Sequence, residues 1–279
     1  MNKKIKMIGL DLDGTLLRED KTLSPYTKSI LEKAIEKGIV VLAATGRPLG
    51  GIPKELREFP GMRYVISSNG ARIIDQKDGH VLYENLISVE RAMRILDILE
   101  TYDTEREFFL EGQGYAEIDK MKELDRYFGR FHNEAMIEYI RTTRIPVDDV
   151  RETLEKKGRP LDKVQGVFAS LEEKEKAWEE LLRLPGVMVT GALVNNIEVC
   201  AAGVDKGLGL IRLGEILGIE KEEIMACGDG KNDIGMIKMS GLGVAMGNGM
   251  EEVKAAADYV TLSNEEDGAA KAIEKFVLS

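Results

Sequence analysis

The chain has 279 residues, 43% of them hydrophobic and 32% charged, with a formal net charge of -10 and a pI near 5.0. That length exceeds what a single core comfortably fills, so two domains are expected. The acidic balance argues against nucleic acid or an anionic membrane as the partner, but not against a phosphorylated substrate, because one lysine and a metal can dominate a single pocket.

A short apolar run of Ile5, Met7, Ile8 and Leu10 ends in Asp11-Leu12-Asp13-Gly14-Thr15 and reads as a strand covered on both faces. Asp11 and Asp13 then stand at its carboxyl end, where ligands bind in an open α/β sheet. Two carboxylates two residues apart point to opposite sides of an extended chain, and the turn at Gly14 can bring both toward one centre. Taken alone, the stretch could also be a tight turn leaving a strand, the less favoured of the two readings.

Ser24-Pro25 reads as an N-cap with proline in the first turn of a helix that runs to Lys37 and stops at Gly38. A strand over 39–43 runs into Thr45-Gly46-Arg47-Pro48, a helix covers 52–59, and a third strand over 64–66 ends in Ser67-Ser68-Asn69-Gly70. Three strand-helix units in succession predict parallel pairing with right-handed crossovers. From about Val81 the rhythm changes to a helix over 88–99, a hairpin over 107–118 around Gly112-Gln113-Gly114, a helical stretch over 121–130, strands over 164–170 and 187–193, and a helix over 172–184. That mixture predicts an α+β insert with a sheet of its own. Regular alternation returns at Ile197, with a helix opening at Lys206-Gly207 and a strand over 224–227 running into Gly228-Asp229-Gly230-Lys231-Asn232-Asp233. Strands over 243–245 and 259–261 and helices over 250–256 and 268–276 complete the pattern. The expected division is 1–81 and 194–279 for a parallel-sheet α/β core and 82–193 for the insert.

Four junctions carry chemistry: Asp11 with Asp13, Thr45 with Gly46, Lys206, and Asp229 with Asn232 and Asp233. These types suit phosphoryl transfer, where catalysis is mostly positioning and charge neutralisation. Asp11 can accept the phosphoryl group as an aspartyl phosphate and Asp13 can move protons. Mg²⁺ usually takes one or two carboxylates plus carbonyls and waters, which Asp11 and Asp229 could supply. The Thr45 hydroxyl, the Gly46 N–H and Lys206 can hold the remaining phosphate oxygens. Each has a plainer reading: Lys206 as a solvated helix-start lysine, and 229–233 as a polar loop without the ligand spacing of a calcium site. The glycines between Gly241 and Gly249 lack dinucleotide-fingerprint spacing.

His80 and His132, the only histidines, lack metal-ligand spacing and read as surface or loop residues. Cys200 and Cys227, the only cysteines, lie in apolar surroundings and read as buried reduced thiols, which points to the cytoplasm. Lys3 and Lys4 before the first apolar run imitate a signal peptide only faintly, since the run meets Asp11 at once. No stretch approaches membrane-spanning length. The oligomeric state is left open between a monomer and a weak dimer.

Taken together, the motifs resemble those of the haloacid-dehalogenase (HAD) superfamily, in particular its Cof-type phosphatases. Asp11-Leu12-Asp13-Gly14-Thr15 resembles the first motif, Thr45-Gly46-Arg47 the second, Lys206 within Gly203-Val204-Asp205-Lys206-Gly207 the third, and Gly228-Asp229-Gly230-Lys231-Asn232-Asp233 the fourth. Ser68-Asn69-Gly70 and Ala245-Met246-Gly247-Asn248 resemble further recurrent segments. The resemblance implies a Rossmann-like core with an α+β cap inserted after the second motif, Mg²⁺ dependence, and small phosphorylated metabolites, often sugar phosphates, as substrates. It implies Asp11 as nucleophile and metal ligand, and Asp13 as acid/base whose carbonyl also binds the metal. Asp229 would be the second metal carboxylate, Leu12, Thr45, Gly46, Lys206 and Asn232 the phosphate contacts, and Asp233 the group that holds Lys206. Ala201-Ala202 departs from the proline usual before the third motif. A phosphomutase or a non-catalytic phosphometabolite-binding regulator would use the same pocket, although intact Asp11 and Asp13 speak against a pure binder. Arg126, Tyr127, Arg130, Arg141 and Arg144 are candidates to face the leaving group, with a solvated surface position as the expectation for each.

Overall fold

A computed structural model describes residues 4–131 and 134–279, so that Lys3 and His132 lie outside the described residues. The chain divides into two compact units. One comprises Met1–Gly46, Pro53–Glu84 and Asp205–Ser279, the other Arg47–Ile52 and Asn85–Val204.

The first unit begins with β1 (Met7–Leu10), α1 (Pro25–Glu36), β2 (Val40–Ala44), α2 (Lys54–Arg57), β3 (Tyr64–Ser67), β4 (Arg72–Asp75) and β5 (His80–Glu84). In β1, Met7, Ile8 and Leu10 are fully buried, each contributing roughly 1.5–3 kcal/mol relative to exposure. The α1 helix starts where the Ser24 hydroxyl accepts from Thr27 N at 2.9 Å, with Pro25 in its first turn. The strands β4 and β5, which continue β3 as an antiparallel meander, have no counterpart in the predicted elements. His80 in β5 is exposed.

The second unit follows with α3 (Val89–Leu99), β6 (Thr104–Leu110), β7 (Gln113–Glu117), α4 (Ile118–Lys122), α5 (Leu124–Phe128), α6 (Glu134–Thr143), β8 (Arg144–Val147), α7 (Val150–Lys157), β9 (Lys163–Phe168), α8 (Leu171–Leu181), β10 (Val187–Thr190) and β11 (Asn196–Ala201). Its six strands run in the order β10-β11-β9-β6-β7-β8, antiparallel except for β7 with β8. Strand alternation puts Phe108, Val164 and Val199 on one face, and Glu105, Glu107, Gln165 and Glu198 on the other. The β11 strand belongs to this sheet, so residues 194–204 lie in the second unit rather than in the core to which the alternation assigned them. An apolar run such as Ile197-Glu198-Val199 states that a strand exists but not which sheet it joins.

The chain then returns to the first unit with α9 (Lys206–Leu217), β12 (Ile224–Gly228), α10 (Ile234–Met239), β13 (Leu242–Ala245), α11 (Glu251–Ala256), β14 (Tyr259–Val260) and α12 (Gly268–Ile273). The eight-stranded sheet runs β14-β13-β12-β1-β2-β3-β4-β5, parallel from β14 through β3. The fold is thus an α/β parallel-sheet core with an inserted α+β unit. Because β1 has β2 on one side and β12 on the other, the strand order reverses beside it, and its carboxyl end is the position at which open α/β sheets bind ligands. Among the described residues no helix is long and apolar enough to cross a membrane.

Candidate active site

The carboxyl ends of β1, β2, β3 and β12 bring Asp11, Thr45, Ser67 and Asp229 to one edge of the large sheet, and α9 begins there with Lys206. Lys206 is 1% exposed. Its Nζ donates to Asp11 Oδ1 at 2.5 Å and to Asp233 Oδ1 at 2.7 Å. The helix places it firmly: the Asp205 carboxylate caps α9, accepting from Gly207 N at 2.8 Å and Leu208 N at 3.1 Å. Burial, the largest influence, would lower the Lys206 pKa, but Asp11 and Asp233 outweigh it and hold the ammonium above its ordinary value.

Asp11, Asp229 and Asp233 each present a carboxylate oxygen within 4.8 Å of the others. Burial pushes the Asp11 carboxyl well above the usual range, Asp233 and Asp229 reinforce the shift, and Lys206 opposes it. Burial, then Asp233, raises Asp229 to about 6, against the hydrogen bond from Thr15 Oγ1 at 2.7 Å. Three carboxylates around one ammonium leave an excess of negative charge in a poorly solvated place. That excess is what a divalent cation neutralises, and an all-oxygen donor set suits a hard ion. Asp233 has less to offer a cation than the other two. Its Oδ1 is engaged by Lys206, and its Oδ2 accepts from Asp229 N at 3.0 Å and Gly230 N at 2.9 Å. Asp11 and Asp229 therefore fit the role of ligands, with Asp233 fixing Lys206 and the turn after β12. Gly14 leaves the space: at φ +81 a side chain would be strained, and its Cβ would lie 2.5 Å from Asp229 Oδ2.

Asp13 stands apart from this cluster. Its side chain is 42% exposed and pairs with Lys21 Nζ at 2.9 Å. Leu12 is fully buried and Thr45 is 2% exposed. Thr45 N donates to Ile66 O at 2.9 Å, and a Cβ at Gly46 would approach Asn69 Oδ1 to 2.9 Å. Asn232 Nδ2 donates to the same Asn69 oxygen at 3.1 Å.

Residue-by-residue reading singled out neither Asn69 nor Asn248. Asn248 Nδ2 donates to Gly14 O at 2.8 Å and its Oδ1 accepts from Asn264 N at 3.0 Å, which fixes the turn after β1. The available signal was the two recurrent segments that contain these asparagines. In the second unit, two of the arginine and tyrosine candidates are not solvated. Tyr127 is fully buried, donating to Asp103 Oδ1 at 3.1 Å, and Arg144 is 7% exposed with a bidentate pair to Glu107 at 2.8 and 3.0 Å. Arg126 is exposed and pairs with Asp103. Neither Cys200 nor Cys227 forms a disulfide and both are buried, and burial raises the Cys227 thiol to about 12.

A family profile described as haloacid dehalogenase-like hydrolase matches residues 8–273. The chain is 30% identical over 283 residues to the 5-amino-6-(5-phospho-D-ribitylamino)uracil phosphatase YitU of Bacillus subtilis, covering 99% of each chain. A haloacid dehalogenase-like hydrolase from Bacteroides thetaiotaomicron is similar in structure, with a TM-score of 0.81, 34% identity and coverage of 98% of this chain and 99% of that one. The HAD subclass IIB sugar phosphatase BT4131 superposes with a TM-score of 0.82 at 27% identity, covering 98% of this chain and all (100%) of that one.

Proposed function

The chain belongs to the haloacid dehalogenase-like hydrolases and is a phosphatase, and from that premise we propose that it hydrolyses small phosphate monoesters, sugar phosphates foremost, by way of a phosphoryl group carried on Asp11. The observation that carries this reading is the buried Asp11 carboxylate at the end of β1, held by Lys206 at 2.5 Å. A fixed oxygen nucleophile beside a permanent cation is what attack on an anionic phosphorus requires. Asp11 attacks phosphorus as the bond to the leaving oxygen breaks, and Asp13 gives that oxygen a proton. Asp13 then takes a proton from water as the water attacks the aspartyl phosphate and releases inorganic phosphate. Asp13 leaves the first step deprotonated and is therefore the base the second step needs, recovering its proton from the attacking water. Thr45, Gly46, Lys206 and Asn232 hold the non-reacting phosphate oxygens, and the Leu12 backbone belongs with them.

Mg²⁺, held by Asp11, Asp229 and the Asp13 carbonyl, would neutralise phosphate charge in the transition state. The second unit, which carries none of these phosphate contacts, is assigned the choice of leaving group. The relatives named for a ribitylaminouracil phosphate and for sugars support a polyhydroxylated leaving group. Two buried cysteines outside any disulfide support a cytoplasmic setting.

The test is Asp11→Asn, assayed against a panel of phosphorylated sugars, nucleotides and cofactors with Mg²⁺ present. Turnover should fall roughly a thousandfold or more, about 4 kcal/mol of barrier, in a protein that folds normally. Near-wild-type rates in the variant would overturn the covalent route.

A further inference from the structure

Ser68, Asn69 and Gly70, the turn after β3, lie in succession at φ 50°, 59° and 102°. Glycine occupies that region freely and asparagine tolerates it, but serine enters it at a cost. The turn is also buried: Asn69 is 4% exposed, and the Ser67 and Ser68 hydroxyls meet no hydrogen-bond partner among the described residues. Strained backbone persists only where its surroundings dictate it, and it gathers at functional sites.

What surrounds it is the set of groups read as phosphate contacts. Asn69 N donates to Thr45 O at 3.0 Å. Asn69 Oδ1 accepts from Asn232 Nδ2 at 3.1 Å and lies against Gly46, where a Cβ would come within 2.9 Å of it. Gly70 packs on the start of α9, where a Cβ would meet Asp205 O at 2.4 Å and Lys206 N at 3.3 Å. Asn69 and Gly70 thus pack on the second-motif turn, Asn232 and the backbone that carries Lys206.

We infer that Asn69 is a positioning residue: its side-chain amide and left-handed backbone hold Thr45, Gly46 and Asn232 in one register for the phosphate. This rests on the reading of those residues as the phosphate contacts. An acceptor at Asn69 Oδ1 takes one of the two Asn232 Nδ2 hydrogens and so fixes which way that amide faces, leaving the second N–H to be aimed at the phosphate.

The experiment measures product inhibition by inorganic phosphate, with kcat and KM for one phosphomonoester, in Asn69→Gly, Asn69→Asp, Asn232→Ala and the Asn69→Gly/Asn232→Ala double variant. Asn69→Gly keeps the left-handed backbone and removes only the amide. It should melt near the wild-type temperature, weaken phosphate inhibition at least tenfold and lower kcat. Asn69→Asp keeps the shape and adds negative charge, so it should weaken phosphate inhibition at least as much, and it serves if the glycine variant folds poorly. The double variant should be no worse than Asn232→Ala alone, because the two side chains act as one unit. Phosphate inhibition within twofold of wild type in a folded Asn69 variant, or losses that multiply in the double variant, would overturn the inference. If Asn232→Ala weakens phosphate and Asn69→Gly does not, the inference alone fails. If Asn232→Ala leaves phosphate inhibition unchanged, the assignment of contacts fails and the inference with it.

Discussion

Lys206 and Glu105 show what a single buried charge does when its partners differ. Lys206 has two carboxylates at 2.5 and 2.7 Å, so Lys206→Met would leave Asp11 and Asp233 without their shared cation. Removing one member of a buried ion pair typically costs about 3–5 kcal/mol. Urea denaturation of Lys206→Met should show a loss of that order, smaller when Mg²⁺ is added. Glu105 is fully buried in the second unit, and neither carboxylate oxygen has a partner among the described residues. Burial first, then Glu107, raises its pKa well above the usual value, with Arg144 and Arg106 opposing and Glu117 adding to the rise. Folded protein therefore binds a proton that unfolded protein releases near pH 4.3. Stability is highest below that pH and falls as pH rises toward the raised folded value, by about 1.4 kcal/mol per pH unit between them. Glu105→Gln should remove that slope, so its advantage over wild type in urea denaturation should be larger at pH 8 than at pH 5. The candidate cluster in the core was legible because Asp11 and Asp229 follow the strands β1 and β12 and Lys206 opens α9, places where a sheet edge gathers polar groups. Glu105, Tyr127 and Arg144 were not, because a charged or phenolic letter in a strand or helix reads as surface until its neighbours are known.

Among the elements, α9 shows how local preference and packing can oppose each other. Alanine is favoured over glycine in a helix, by up to about 1 kcal/mol in the interior and less in the first turn, so Gly207 looks improvable. A Cβ there, however, would lie 2.5 Å from the backbone of Gly235, at the start of α10, and backbone cannot rotate out of the way. Overpacking of that kind costs roughly 1–3 kcal/mol, so Gly207→Ala should be destabilised on balance and should lower activity through the shift it forces on Lys206. Thermal melts and kcat on the same preparation check both. Strongly periodic elements were legible: α1 with its Ser24-Pro25 start, α3, α8, and the parallel strands that end in site residues. The hairpin of β4 and β5 was missed because Arg72-Ile73-Ile74-Asp75 is short and has no clear alternation. The α6–β8–α7 stretch was missed because Thr142-Thr143-Arg144 lets helix pass directly into strand without a glycine or proline to mark the change.

At the scale of the whole molecule, each unit has its own sheet and its own buried cluster, as in the packing of Leu210, Leu213 and Ile224 in one and of Tyr127, Phe128 and Ile140 in the other. Calorimetry should therefore resolve more than one transition rather than a single two-state melt. Mg²⁺ at about a hundred times its Kd should stabilise the unit that contains Asp11 and Asp229 by about 2.7 kcal/mol. Glu105→Gln should move the other transition. The sequence revealed two units but not the excursion of residues 47–52 into the second one, since no composition change marks a crossing one residue after Gly46. The order of strands in the large sheet has a consequence for synthesis. Its central strand emerges from the ribosome early, while Lys206 follows Asp11 by 195 residues and β12 comes later still. At roughly 5–20 residues per second, one edge of β1 waits about 10–40 seconds for its neighbour. The contiguous stretch from Asn85 to Val204 can fold during that wait. A nascent chain stalled before Ile224 should therefore present an unpaired apolar strand to chaperones, and a fully translated one should not.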